Sequence, residues 1–120
     1  MSINFQRLIN IAMTKPQKRH NHFTFILRKS KIVSIGTNHN CTHPRSLAYS
    51  YGRPVGVHAE LDAVLRLGPG DYSRYSMVNV RLNKHGQIQL SAPCSGCLDM
   101  IQQLGFKRVY YSTPVGFEEL

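Results

Sequence analysis

The sequence predicts an α/β fold in which helices flank a mixed β-sheet. Two observations support this prediction. In the second half of the chain, strand-like runs alternate with segments of helical periodicity, which is the order of elements in an α/β sandwich. The length of 120 residues and the hydrophobic content of 42% suit a globular chain with one core. We therefore expect a single domain over residues 1–120.

The first half begins with a helix and a hairpin. Apolar residues recur at helical spacing over Ile3–Met13, which predicts an amphipathic helix. The runs His22–Leu27 and Lys31–Ile35 predict two antiparallel strands joined by a tight turn. Prolines and glycines interrupt the stretch from His39 to Gly56, which we interpret as a long functional loop.

The second half contains two helices and three strands. The first helix starts near His58 and ends at Leu67, because a glycine and a proline follow. The other predicted elements, in chain order, are strands over Met77–Leu82 and Gln87–Leu90 that form a hairpin, a helix from about Ser95 to Leu104, a strand over Lys107–Ser112 and a short tail over Thr113–Leu120.

Charge is distributed unevenly along the chain. Fifteen Lys and Arg stand against six Asp and Glu, and the first acidic residue is Glu60. This asymmetry favours an anionic partner, such as a nucleotide phosphate or a nucleic-acid backbone, although a solvated basic surface explains it equally well. Arg45 and Arg53 are candidate phosphate contacts. No apolar run approaches membrane-spanning length, and the N-terminus lacks a secretory pattern. Three cysteines suit metal binding in a reducing compartment, so we predict a cytoplasmic protein.

Two short motifs carry the chemistry. His58 and Glu60 lie in H-A-E, and Cys94 and Cys97 lie in P-C-S-G-C. Two thiolates and one imidazole are good zinc ligands, and three protein ligands leave the fourth tetrahedral position open, as in catalytic sites. Zinc lowers the pKa of a bound water, and a nearby carboxylate can then move its protons. The residue set therefore predicts a hydrolytic reaction with Zn²⁺ as cofactor.

A closed structural zinc site is the alternative. It needs a fourth ligand, for which His39, Cys41 and His43 are candidates, but it leaves Glu60 without a task. His58 and Glu60 are two residues apart, so inside one regular helix they would point to nearly opposite sides. Both reach one site only if His58 lies at the helix entrance. Three further histidines, His20, His22 and His85, are predicted to lie on the surface without a catalytic task.

The H-A-E motif followed, after the 32 residues Leu61 to Ala92, by P-C-x-x-C resembles the zinc-dependent cytidine and deoxycytidylate deaminase superfamily. With histidine as its first residue, the H-A-E motif resembles that of the deoxycytidylate, tRNA-adenosine and polynucleotide-cytosine branches of this superfamily. The resemblance implies a three-layer α/β/α sandwich and a homo-oligomer. It also implies zinc on His58, Cys94 and Cys97, proton transfer by Glu60, and substrate contacts from the residues Asn38, Ala59 and Ala92. Where many relatives pass directly from strand to P-C-x-x-C, this chain has the predicted hairpin, and Ser91-Ala92 replaces Leu-Glu.

The leading functional hypothesis is hydrolytic deamination of a cytosine-bearing nucleotide, such as deoxycytidylate, with release of ammonia. The same chemistry on cytosine or adenine in single-stranded DNA or tRNA is the alternative, supported by the basic first half of the chain. A zinc-stabilised nucleic-acid-binding module without activity is the third possibility.

Overall fold

A computed structural model of the chain describes residues 3–15, 21–38 and 58–120. These residues form three helices and one mixed sheet. The elements are α1 (Phe5–Met13), β1 (Asn21–Arg28), β2 (Lys31–Thr37), α2 (Ala59–Leu67), β3 (Tyr75–Leu82), β4 (Ile88–Gln89), α3 (Ser95–Leu104), β5 (Arg108–Thr113) and β6 (Gly116–Glu119). The sheet order is β2-β1-β3-β5-β6, with β4 paired to β3. Among the described strand pairs, β3 and β5 alone run parallel. The predicted fold class, a mixed sheet flanked by helices, is confirmed.

The two faces of the sheet bury different sets of side chains. Alternation along β1 and β3 sends one set towards α1, forming a buried cluster of Leu8, Ala12, Phe23, Phe25, Leu27, Val78, Val80 and Leu82. The opposite face packs against α2 and α3 through Ile26, Leu61, Ala63, Val64, Tyr72, Met77, Met100, Ile101 and Val109. Helices therefore cover both faces, and each face has its own apolar core.

The face towards α2 and α3 changes from apolar to polar along its length. Three cross-strand pairs between β1 and β3 follow one another on it. These pairs are Ile26–Met77, Thr24–Asn79 and His22–Arg81. The first pair belongs to the core, whereas both members of the second are polar and fully buried. Buried polar side chains need hydrogen-bond partners, and those partners lie in the candidate site.

Gly36 allows α2 to lie directly on β2. A Cβ added there would overlap the Ala59 carbonyl oxygen and the backbone of Ala63. Two hydrogen bonds fix the same contact, from Ser34 Oγ to the Ala63 carbonyl at 2.8 Å and from the Thr37 N–H to Asp62 Oδ2 at 2.8 Å. The close approach determines where the first turn of α2 lies.

Strands β4 and β5 pair with the same edge of β3, one after the other along its length. Ser76–Asn79 pair with β5, and Arg81 and Leu82 pair with β4, so the predicted hairpin between Leu82 and Ile88 is present. Ser112 joins the two strands, because its hydroxyl donates to the Gln89 carbonyl at 2.7 Å. This junction leads the chain directly into the P-C-x-x-C segment.

The C-terminal segment corrects one prediction. Residues 113–120 were expected to be a short tail, but Gly116–Glu119 form β6, an antiparallel edge strand on β5. Phe117 stacks on Phe5 of α1 with ring centroids 4.4 Å apart, so the strand is held by a contact distant in sequence. Four residues containing two glutamates give too weak a strand pattern to detect. Among the described residues, no helix is both long and apolar enough to cross a membrane.

Candidate metal centre and active site

His58 and Cys94 occupy equivalent positions, each just before a helix. His58 is the N-cap of α2, with the extended backbone angles φ −72° and ψ 157°. Its ring therefore leaves the chain before helical periodicity begins, as the two-residue spacing to Glu60 requires. Cys94 is the N-cap of α3, and its sulfur accepts a hydrogen bond from the Cys97 N–H. The side chains of these two N-cap residues point to one place.

The three ligand atoms of His58, Cys94 and Cys97 lie within 4.8 Å of one another. His58 Nδ1 is 3.2 Å from Cys97 Sγ and 3.5 Å from Cys94 Sγ. Tetrahedral zinc, with bonds of about 2.3 Å to sulfur and about 2.0 Å to nitrogen, would place these atoms about 3.5 Å apart. The donor set and its spacing fit a zinc ion with three protein ligands.

The charges at this cluster favour a thiolate at Cys94. Hydrogen bonds from Cys97 and then from His58 lower the pKa of Cys94 to about 3. The positive end of the α3 dipole acts in the same direction. The adjacent Cys94 sulfur, followed by burial, raises the pKa of Cys97. The hydrogen bond with Cys94 raises the pKa of His58, and the negative charge of Glu60 raises it further. Without metal, the cluster therefore favours a thiolate at Cys94 and a thiol at Cys97.

Glu60 is buried, with 1% of its surface exposed, and its two oxygens have different surroundings. Oε2 accepts a hydrogen bond from Asn79 Nδ2 at 3.1 Å. Oε1 is also buried but has no partner among the described residues. An unpaired buried carboxylate oxygen costs free energy that a purely structural residue would not incur. This oxygen is available to a ligand.

Asn79 is held in one orientation by its own partners. Its Nδ2 donates to Glu60 and to the Ser91 carbonyl at 3.3 Å, while its Oδ1 accepts from Thr24 Oγ1 at 2.6 Å. Because the Glu60 carboxylate and the Ser91 carbonyl are both acceptors, the amide nitrogen must face them. The Ser91 hydroxyl donates to the Asn79 carbonyl at 3.0 Å and anchors the strand. Glu60 is thus held by a chain of buried hydrogen bonds that begins on β1.

A cavity of about 290 Å³ opens beside Glu60 and the candidate metal ligands. Six of its lining residues were predicted as catalytic, zinc-binding or substrate-binding residues: Asn38, His58, Ala59, Glu60, Ala92 and Cys94. Cys97 lies next to the cavity and is buried. Arg45 and Arg53 lie outside the described residues, as do the alternative fourth ligands His39, Cys41 and His43 and the neighbouring His20. All predicted site residues that the structure describes therefore lie in or beside this cavity.

Four lining residues were not predicted: His22, Arg81, Leu90 and Ser91. The prediction that His22 is a surface residue is wrong. Its Nε2 is buried without a partner among the described residues, and burial lowers its pKa. Cross-strand pairing places Arg81 directly beside it. His85, in contrast, is exposed as predicted. The sequence contained one usable signal, because strand alternation puts His22 on the same face as Thr24, opposite the phenylalanines.

Asn38 shows how the cavity wall is built. Its Oδ1 accepts a hydrogen bond from the His22 backbone N–H at 3.3 Å, across the open end of the hairpin. Asn38 also lines the cavity, so this hydrogen bond fixes part of the cavity wall. On the other side, Leu90 leaves 54% of its surface exposed and provides an apolar wall. The cavity therefore combines one apolar wall with several polar groups, as small-molecule sites do.

The fold is similar to that of solved cytidine deaminase-like structures. The structure resembles the crystal structure of dCMP deaminase from the cyanophage S-TIM5 in apo form, with a TM-score of 0.58 and 21% identity over 90% of this chain and 81% of that chain. In complex with dCMP and dUMP, that enzyme gives a TM-score of 0.57 and 21% identity over 89% and 79%. Cytidine deaminase from Mycobacterium leprae gives 0.56 and 17% identity over 98% and 94%.

These identities establish similarity of fold. A scan of protein-family models gave no match, and neither did a search of curated proteins.

Proposed function

We propose that this protein is a zinc-dependent deaminase that converts the cytosine of a nucleotide to uracil and releases ammonia. One observation carries the proposal. The buried, unpaired Oε1 of Glu60 borders the same cavity as a His-Cys-Cys set spaced for zinc. A structural zinc site has no use for such a carboxylate, whereas hydrolysis of an amine needs a group that carries protons.

His58, Cys94 and Cys97 would hold the metal. When bound, zinc would supply water activation, because it lowers the pKa of a coordinated water to about 7. Both cysteines must then be thiolates. The lowered pKa of Cys94 prepares one of them, and loss of the remaining proton from Cys97 would accompany metal binding.

Glu60 would handle the protons. Its Oε1 would accept a proton from the attacking water and deliver it to the ring nitrogen beside the amine. The carboxylate would then take the proton of the new hydroxyl group on the ring carbon and pass it to the amine, so that the carbon–nitrogen bond breaks, ammonia leaves and the carbonyl of uracil forms. Asn79 would keep Oε2 occupied, so that only Oε1 faces the substrate. The resemblance to the deaminase superfamily implies the remaining contacts, and the three residues concerned all line the cavity. The Ala59 N–H would hold the pyrimidine carbonyl oxygen, the Ala92 carbonyl would accept from the exocyclic amine, and Asn38 would contact base or sugar.

The position of Arg81 favours a nucleotide over a nucleoside as the substrate. It is the cation that lines the cavity in the described part of the chain, and it lies beside His22 at the end of β3. A guanidinium at this position suits a substrate phosphate. The cyanophage relative was crystallised with dCMP and dUMP, which are both nucleotides. Arg45 and Arg53 remain predicted phosphate contacts from the loop.

The test is an assay of ammonia release by the zinc-loaded protein. We expect deoxycytidine monophosphate to react faster than deoxycytidine, and an Arg81→Gln variant to lose this preference through a raised KM. A Glu60→Ala variant should keep its zinc and lose activity. Activity retained by Glu60→Ala contradicts the assigned role, and no ammonia from any cytosine or adenine substrate favours a non-catalytic module.

A base in single-stranded DNA or tRNA is the second candidate substrate. The excess of basic residues before Glu60 favours it. Adding cytosine-containing single strands and adenosine to the same assay separates the candidates. The homo-oligomer and the cytoplasmic location remain predictions, the first of which sedimentation analysis would test.

A further inference from the structure

The sheet has a second cavity, here called the basic groove, at the end opposite the candidate active site. Its volume is about 640 Å³, and five of its lining side chains are cations: Arg28, Lys29, Arg74, Lys107 and Arg108. These are five of the fifteen Lys and Arg in the chain. No carboxylate lines the groove within the described residues. Such a concentration of one charge creates a positive potential that attracts anions.

The basic groove is separate from the candidate active site. Ser76 lines the groove and Arg81 lines the active-site cavity, and both lie on β3. Five residues of extended chain separate their Cα atoms by about 16 Å. Strand alternation also puts Ser76 on the same face as Val78 and Val80, towards α1, whereas Asn79 and Glu60 lie on the other face. One mononucleotide cannot occupy both places.

Most of the charge at the groove is not neutralised. Arg108 forms an ion pair with Glu119 at 3.1 Å. Asp71 is held first by hydrogen bonds from Ser73, which lower its pKa, and the charge of Arg74 contributes a smaller part. Within the described ranges, no carboxylate lies within salt-bridge distance of the other four cations, which are Arg28, Lys29, Arg74 and Lys107. About four positive charges are therefore available to a ligand.

The arrangement of these charges decides the kind of ligand. The cations come from three separate segments: the end of β1 with its turn, the residues before β3, and the start of β5. Arg28 and Arg108 lie on the two strands that flank β3, so their Cα atoms are about two strand spacings, or about 10 Å, apart. A compact anion contacts one point, whereas a nucleic-acid strand presents a series of negative charges along its backbone. A row of cations of this width can therefore contact successive phosphates of one strand.

We propose that the basic groove binds the phosphodiester backbone of a single-stranded nucleic acid. The contacts are charge–charge contacts to phosphate, with the Ser76 hydroxyl as an additional polar group in the lining. They carry no sequence preference, because no base edge is read. The proposal does not depend on deamination, since it concerns a different end of the sheet.

Oligothymidylate of 20 nucleotides is the probe that isolates this binding. Thymine has no exocyclic amine, so the strand cannot act as a substrate in the candidate active site. Fluorescence anisotropy with the full-length zinc-loaded protein would measure its affinity at several salt concentrations. With about four phosphate contacts, the logarithmic salt slope is about −2.8. Affinity should therefore fall about 50-fold between 50 and 200 mM salt.

Matched double variants test the location. Arg74→Gln with Lys107→Gln removes two exposed cations of the groove, and Lys15→Gln with Lys84→Gln removes two exposed cations elsewhere. We expect the groove variant to lose at least about tenfold in affinity and to have a salt slope smaller by about 1.4. The control variant should stay within about twofold, because its side chains do not line the groove. Melting temperatures would verify that both variants are folded.

Three outcomes overturn the proposal. The first is failure of the wild-type protein to bind oligothymidylate at low salt. The second is equal weakening in both double variants, which assigns binding to net charge alone. The third is tighter binding of inorganic tripolyphosphate than of oligothymidylate, which makes a compact anion the better fit.

Discussion

Replacing Asn79 with aspartate removes one proton donor beside the candidate active site and leaves the size of the side chain almost unchanged. In the wild-type protein, Asn79 Nδ2 donates to Glu60 Oε2 at 3.1 Å and to the Ser91 carbonyl at 3.3 Å. In the variant, a carboxylate oxygen faces both of these acceptors, and its negative charge beside Glu60 adds repulsion to the lost hydrogen bond. The acceptor role towards Thr24 is preserved. The substitution therefore acts on Glu60 and on Ser91, and leaves the contact to β1 in place.

The hydrogen-bond geometry sets the expected size of the effect. A hydrogen bond to a charged group contributes about 1.5–3 kcal/mol. Each 1.36 kcal/mol corresponds to a factor of ten in rate. If this bond is needed to hold Glu60 for proton transfer, we expect Asn79→Asp to lower kcat for ammonia release by about 10- to 150-fold. KM should change much less, because Asn79 does not line the cavity.

Thr24→Val is the matched control for loss of stability. It removes the hydroxyl that donates to Asn79 Oδ1 at 2.6 Å, without touching Glu60. A buried hydrogen bond of this kind is worth about 1 kcal/mol. The melting temperature should therefore fall in this variant too, while kcat falls much less than in Asn79→Asp. Both variants would be assayed well below their melting temperatures and with zinc content measured.

A double-mutant cycle provides the decisive comparison. In a Glu60→Gln background, the group that Asn79 positions is already disabled, so adding Asn79→Asp should lower the residual rate little further. The reasoning fails if the two losses multiply, because Asn79 would then act on the structure in general. It also fails if Asn79→Asp alone retains wild-type kcat.

Three further predictions concern packing, metal and pH. Gly36→Ala should lower the free energy of unfolding by at least about 1–3 kcal/mol, since the added methyl group overlaps the backbone of α2; an unchanged midpoint in urea would contradict this. Cys94→Ser should reduce bound zinc, measured by atomic absorption, well below one equivalent, and wild-type zinc content would show that Cys94 is no ligand. His22 has a pKa lowered by burial, so the unfolded chain binds its proton first and stability should decline as the pH falls below about 6.5. Urea titrations of wild type and His22→Asn would show this part of the decline disappear, and identical pH profiles would refute it.

Local sequence patterns were sufficient for most of the fold. Helical periodicity and a following glycine located α3 over Ser95–Leu104, the same bounds as in the structure. Alternating strand-like runs located the two hairpins. These signals succeed because a helix or hairpin is specified by residues only a few positions apart. The strand β6 was missed for the converse reason, because Phe117 is held by Phe5, more than a hundred residues away.

The candidate metal ligands were also recognisable from the sequence. His58, Cys94 and Cys97 are residue types with few other reasons to occur at those spacings, and the two-residue interval to Glu60 required a helix entrance at His58. The structure places the histidine at that position, as the N-cap of α2. Chemistry that rests on rare residue types in short motifs can be read without a structure.

Only the tertiary structure revealed what holds Glu60 in place. Asn79 lies 19 residues from Glu60 and 55 from Thr24, and in the sequence it is one polar residue within an apolar strand. His22 and Arg81 become neighbours solely through the register of β1 on β3. Gly36 matters because another segment lies on it. The sequence determined which groups can carry out the chemistry, whereas sheet register and helix packing decided which groups surround them, because those contacts join residues with no local pattern in common.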